Sequence, residues 1–182
     1  MITAYLAGPD VFLPKAGAHA AAKLAICARW GIAGRSPLNE DIATLARMDQ
    51  TEAWRAIFAK DVAMMEGCAI IIANLTPFRG ASADAGTLVE LGWFLGRGRA
   101  AYGYSNCAQS FTQRSAAQVA AVPDPIPGLT VGGFGLPDNL MIAGALRAFV
   151  TPGDGQDRAF DGLEMFEACV RAAAADSARP AQ

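Results

Sequence analysis

Three side chains of this sequence have the types and spacing for chemistry at a carbon centre: Tyr5, Asp84 and Glu90. Asp84 precedes an apolar stretch at the position of a helix N-cap, where its side chain can accept from the free amides of the first turn. Glu90 is the only ionisable residue between Thr87 and Arg97, in a helix that is apolar all round and is expected to be buried. A carboxylate in such surroundings must find partners, shift its pKa or serve a site, because an unpaired buried charge is costly. Two carboxylates beside a sugar anomeric carbon are the equipment of retaining glycosyl transfer, in which one attacks and another group assists departure. A capping aspartate and a satisfied core glutamate leave the same trace. An ordinary sheet tyrosine likewise looks like Tyr5.

The elements that must position these groups can be read around them. Residues 68–73 form a short apolar run that suits a strand covered on both faces of a parallel sheet. A loop at 74–83 follows, then the helix at 85–96 and a second apolar strand at 100–104. This is one right-handed crossover unit, and in such sheets ligands bind beyond the carboxyl ends of the strands. Gly86, Gly92 and Gly96 weaken a helix, so a close approach of backbone or ligand is expected there.

Upstream, residues 2–7 read as the first strand, ended by Gly8-Pro9. Residues 15–30 form an alanine-rich helix carrying His19, the single histidine. One histidine there argues against a Ser-His-Asp triad or a histidine-based metal site, and His19 reads as a surface or helix-flank residue. A short second strand covers 31–35. Asn39, Glu40 and Asp41 fall in an irregular segment. The helix at 51–66 places Trp54, Ile57, Phe58, Val62 and Met65 at core spacing, with a Glu52–Arg55 pair expected. Asp61 sits on the edge of that stripe, where a buried cap or ion pair is the expectation.

Downstream, a short helix ends the 105–121 segment. Residues 123–137 carry four prolines and four glycines, a loop long enough to be functional or interfacial. Asp138-Asn139 cap a helix running to about Phe149, a last amphipathic helix covers 157–175, and a disordered tail is expected from Asp176. The alternation gives an α/β fold, a doubly wound parallel sheet of about five strands with helices on both faces, in a single domain.

Composition narrows the function classes. A net charge of -2 with scattered basic residues argues against a nucleic-acid polymer as partner. No apolar run is long enough for a membrane span, and a start in strand-like ITAYLAG predicts no signal peptide, so a cytoplasmic location is expected. Four cysteines without metal-ligand spacing read as free thiols in a reducing compartment. Neither GxxxxGK[ST] nor a helix-opening GxGxxG follows the first strand.

Three motifs then narrow it further. YLAGPDVF at 5–12, NLTPFRGASADAGTLVELGW at 74–93 and GLPDNLMI at 135–142 occur in an order that resembles the nucleoside 2-deoxyribosyltransferase family, the DxGTxxELG core being the most specific. The resemblance implies a flavodoxin-like sheet and exchange of one nucleobase for another on 2-deoxyribose without metal or organic cofactor. It also implies a homo-oligomer whose active site borrows residues from a neighbouring subunit. The implied partners are a 2-deoxynucleoside and a free nucleobase, with no membrane.

By position, Glu90 matches the nucleophile that forms a covalent deoxyribosyl-enzyme. Asp84 matches the acid that holds sugar hydroxyls or assists proton traffic, and Tyr5 the phenol that holds the nucleophile. Gly8, Asp10 and Phe12 are implied on the base side, Asn74 and Phe78 as further substrate contacts, and Asn139 and Met141 as the segment entering the neighbour's site. Asn74 stands where some members carry aspartate, and an amide cannot protonate a leaving base. Two alternatives accompany this reading. One is an N-glycosidase of 2-deoxynucleoside 5-monophosphates, for which Arg79, Ser82 and Ser105 are candidate phosphate contacts; the other is a catalytically silent nucleoside-binding protein.

Overall fold

The structure, a computed structural model, describes residues 1–38 and 47–178. Asn39, Glu40 and Asp41 lie outside the described residues. Five parallel strands form one sheet in the order β2-β1-β3-β4-β5, built from β1 (Ile2–Ala7), β2 (Ile32–Arg35), β3 (Ile70–Asn74), β4 (Ala100–Tyr104) and β5 (Ala148–Val150). This flavodoxin-like order reverses direction between β1 and β3, which leaves a crevice beyond the carboxyl ends of those strands.

Alternation along each strand sorts side chains to two cores. Ala4, Leu6, Ile70, Ile72, Tyr102 and Tyr104 pack with Ile26 and Cys27 of α1 (Ala16–Arg29) and with Phe166, Cys169 and Val170 of α6 (Glu164–Ser177). Tyr5, Ala7, Ile71 and Ala73 face the other way, against Met65 of α2 (Gln50–Glu66) and Leu91 and Phe94 of α3 (Ala85–Gly96). A period of two thus places Tyr5 on the side of the sheet that carries α3. The remaining α-helices among the described residues are α4 (Phe111–Ala121) and the short α5 (Leu140–Gly144).

Several sequence expectations are corrected. The helix begun at Asn139 stops at Gly144, and Phe149 lies in β5, whose three residues are too few to carry a strand signature. Helix α6 runs on to Ser177, so Asp176 is helical; its carboxylate accepts from Tyr102 Oη at 2.5 Å and from Arg147 at 2.9 Å. Trp54 and Phe58 are 55% and 62% exposed rather than core, and Glu52 closes a capping box with Asp49. Helix α3 is buried along Thr87, Leu91 and Phe94, but its opposite flank exposes Val89, Gly92, Leu95 and Gly96. A Cβ at Gly92 or Gly96 would meet nothing within 4 Å, so neither glycine answers to a close contact.

The rim after β1 is held by a buried ion pair. The turn Pro9–Phe12 brings Asp10 to 2.6 Å from Lys23 Nζ, and Asn74 Nδ2 donates to Asp10 Oδ1 at 2.7 Å. His19 is largely buried rather than at the surface, with Nε2 3.5 Å from the same Oδ1. Lys23 also lies over the Phe166 ring at 4.7 Å. Burial alone would raise the Asp10 carboxyl, but the Lys23 charge, with the imidazole and the Asn74 amide, holds it far below the usual carboxylate range. Gly8 is required here: its φ is 151°, and a Cβ would stand 2.7 Å from Asn74 Cβ.

Removing one partner of a buried pair leaves the other charge uncompensated. Lys23→Met is therefore expected to cost roughly 3–5 kcal/mol of stability at pH 7. Because the Asp10 value is depressed on folding, its contribution is present above its ordinary value of 3.8 and is lost as pH falls. Urea denaturation at pH 7 and pH 3 checks this, with the gap between variant and wild type narrowing in acid.

Candidate functional site

Tyr5 and Glu90 meet across the interface between β1 and α3. Tyr5 Oη donates to Glu90 Oε1 at 2.6 Å, and the Tyr5 ring, fully buried, stacks on Phe94 at 6.1 Å. Phe94 and Glu90 are four residues apart and share one helix face. Asp84 caps the same helix: its Oδ2 accepts from Thr87 N at 3.0 Å and Thr87 Oγ1 at 3.1 Å. The helix start is fixed at its first residue, and Glu90 is presented in the second turn.

Glu90 and Asp84 line a cavity of about 650 Å³ with Gly8, Phe12, Leu38, Ile57 and Asp61, among others. It lies at the carboxyl end of β1, beside the switch point of the sheet. Gly86 also lines it, the one helical glycine of the three to meet the site. Phe12 stacks on Phe78 with ring centroids 5.8 Å apart and 12° between planes, and the Arg79 guanidinium covers Phe78 at 4.9 Å. An aromatic platform therefore stands beside the carboxylates.

Electrostatics at Glu90 are a compromise. Burial is the largest influence and pushes its carboxyl up to about 7, the Tyr5 hydrogen bond pulls it down, and the charges of Asp61 and Asp84 push it up again. Burial and the neighbouring Glu90 drive the Tyr5 phenol upward, so it stays a donor at neutral pH. Near pH 7 the Glu90 carboxyl is thus weakly solvated, poised between its two protonation states and oriented through one oxygen.

Of the residues expected from the sequence, the cavity gathers Glu90, Asp84, Gly8 and Phe12, with Tyr5 touching Glu90 and Phe78 touching Phe12. Asp10 and Asn74 are absent from its lining; both are buried behind the rim, where Asn74 also accepts from Thr76 N at 3.0 Å. Asn139 and Met141 lie elsewhere. Asn139 caps α5 through Met141 N at 2.9 Å and borders a small pocket with Phe111 and Phe134, and Met141 is exposed.

The candidate phosphate contacts are occupied separately. Ser82 donates to Asp138 at 2.7 Å, Ser105 accepts from Cys107 N at 3.1 Å, and Arg79 lies on the aromatic stack. Asp138, fully buried, also accepts from Ala83 N, and Arg114 donates to the carbonyls of Ala81, Gln109 and Pro137. These bonds fasten the proline-rich loop to the segment leading into α3. Asp61 was missed as a site residue, its signal being a lone acid on the border of an apolar stripe.

The model of the nucleoside 2-deoxyribosyltransferase family matches residues 4–141, a span that holds both Tyr5 and the Asp84–Glu90 helix. The chain belongs to that family. Among curated proteins no sequence matches. Among solved structures, a 2-deoxyribosyltransferase from Leishmania mexicana is similar at 29% identity and a TM-score of 0.63, over 96% of this chain and 98% of that one. A 2-deoxyribosyltransferase from Bacillus psychrosaccharolyticus shares the fold at 19% identity and a TM-score of 0.50, over 81% and 84% of the two chains. A conserved protein from Enterococcus faecalis V583 shares it at 15% identity and 0.55, over 95% and 99%. Membership of this transferase family assigns the chain to nucleoside metabolism.

Two outcomes follow from the titration of Glu90. Its folded value lies above the ordinary 4.5, so its contribution to stability is complete below pH 4.5 and is lost as pH rises through about 7. Glu90→Gln is therefore expected to resist urea better than wild type at pH 8, with the advantage vanishing at pH 4. Tyr5→Phe removes the donor that favours the ionised form, and the Glu90 carboxyl should titrate about one pH unit higher. Carboxyl-carbon NMR titration reads that shift directly.

Proposed function

We propose that this chain exchanges one nucleobase for another on 2-deoxyribose through a covalent deoxyribosyl ester on Glu90. The observation that carries this reading is the Tyr5–Glu90 pair, 2.6 Å apart, at the wall of a largely apolar cavity. Tyr5 engages Oε1 and leaves Oε2 for attack on the sugar C1 carbon from the face opposite the base. The C1–N bond breaks, its electron pair leaves with the base, and the ester forms with inverted configuration. The incoming base displaces Glu90 with a second inversion, so the net outcome is retention.

Lacking a 2-hydroxyl, the sugar develops oxocarbenium character readily, and the protein's task is positioning and exclusion of water. Asp84 keeps Oδ1 for a sugar hydroxyl while Oδ2 is taken by Thr87. The Phe12–Phe78 stack offers the base a flat apolar neighbour. Asp10 and Asn74 act from behind, fixing Gly8 at the rim.

In this reading Asn139 and Met141 complete the cavity of a neighbouring copy. Their exposure away from the chain's own cavity supports it, as do the exposed apolar residues Trp54, Phe58, Val89 and Leu95, which an oligomer would cover. Cys27, Cys68 and Cys169 are buried free thiols, which suits the reducing cytoplasm. No described helix is long and apolar enough to cross a membrane.

Incubation with deoxyinosine and adenine should give deoxyadenosine. Release of free deoxyribose without new nucleoside, or faster turnover of deoxyinosine 5-monophosphate, would favour the N-glycosidase instead. Glu90→Ala should lower exchange by at least about 10³-fold while circular dichroism stays unchanged. Retained exchange in that variant removes Glu90 as nucleophile.

A further inference from the structure

One buried carboxylate outside the cavity divides its two oxygens between different segments of the chain. Asp138 is fully buried. Its Oδ2 accepts from Ala83 N at 3.1 Å, the amide directly before the Asp84 cap, while Oδ1 accepts from Ser82 Oγ at 2.7 Å and from Asn139 N at 2.8 Å. The Arg114 guanidinium stands 3.8 Å from Oδ2 and donates to the carbonyls of Ala81 at 2.7 Å and Pro137 at 2.6 Å. It braces the same two segments.

Holding two loops together does not call for a charge. A carboxylate taken out of water is costly unless donors surround it, and apolar packing could fasten the same segments without that cost. What hydrogen bonds to a carboxylate supply is fixed distance and direction. On one side the fixed atoms lead into α3: Asp84 follows Ala83, closes the cap on Thr87 and lines the cavity with Glu90. On the other they lead into Asn139, whose Oδ1 accepts from Met141 N at 2.9 Å, and both of those residues are exposed. One half of the joint serves the chain's own cavity. The other half faces outwards.

We infer that Asp138 is a positioning residue for two active sites at once: through Ala83 it sets Asp84 in its own chain, and through Asn139 it sets the segment that completes the cavity of a neighbouring copy. The inference rests on the shared-cavity reading under the proposed function. Asp138 is absent from the lining of the cavity that holds Glu90, so its effect passes through the residues it holds. A change at this one carboxylate is therefore felt in two cavities, one of them in another copy.

The test restores activity from two disabled chains. Glu90→Ala and Asn139→Ala copies, co-expressed under two tags and purified together, should exchange bases between deoxyinosine and adenine, because one cavity then combines Glu90 of the second copy with Asn139 of the first. No restored activity, or a chain that stays monomeric, sinks the shared cavity and the inference with it. Asp138→Asn added to the Glu90→Ala copy should cut the restored kcat/KM about 10–100-fold, although that copy's own cavity is already dead; added to the Asn139→Ala copy it should cut it by a similar factor. A loss in only one placement, or in neither, overturns the inference and leaves the shared cavity standing. If Asp138→Asn does not fold, Ser82→Ala in the Glu90→Ala copy decides. It removes one donor to Asp138 and should lower the restored turnover about threefold or more, while Ser82→Thr, which keeps the hydroxyl, stays within about twofold of the control. No loss with Ser82→Ala, or an equal loss with Ser82→Thr, overturns the inference. Restored hydrolysis in place of exchange sinks base exchange, and the comparison of placements still decides the role of Asp138.

Discussion

The hydrogen bond from Tyr5 to Glu90 is the interaction on which the site depends. A carboxylate among apolar side chains is poorly solvated and tends to take up a proton. One buried phenol offsets part of that tendency, and Glu90 settles near pH 7. Much of the second layer serves this bond. Strand alternation turns Tyr5 towards α3, Phe94 fixes its ring, and the Asp84 cap fixes where α3 begins. A shift of one residue in the β1 register would aim residue 5 at the opposite core.

The rim shows how a buried amide is satisfied beside an ion pair. Asn74 donates to Asp10 and accepts from Thr76, so both ends of its amide are used in a place with no solvent. An aspartate there would set two carboxylates side by side against the single ammonium of Lys23. The amide satisfies both sides of the network without adding a second negative charge.

Much of this was legible in the sequence. Glu90 stood out as a lone acid in an apolar helix, and Asp84 as a cap, since both signals are local. Strands β1, β3 and β4 declared themselves as apolar runs. Helix faces were harder to read: Trp54 and Phe58 carry the spacing of core residues yet lie outside, because periodicity records that a face is apolar and not what covers it. The uniformly apolar α3 misled for the same reason. Lys23, a cation in an alanine-rich helix, gave no hint that it would be sealed against Asp10, a partner 13 residues away. β5 is a three-residue strand whose identity comes from its neighbour β4 rather than from its own composition.

The clamp between Asp10 and Lys23 also makes the two flanks of the cavity unlike each other. It ties the turn at 9–12 to α1 through a charged contact that is expensive to separate, so that flank behaves as a fixed jamb. Across the opening stand the apolar side chains of Pro37, Leu38 and Ile57, with an exposed hydrogen bond from Lys60 to the Leu38 carbonyl. The two flanks of the enclosure thus differ in kind, one locked by charge and the other walled by apolar side chains.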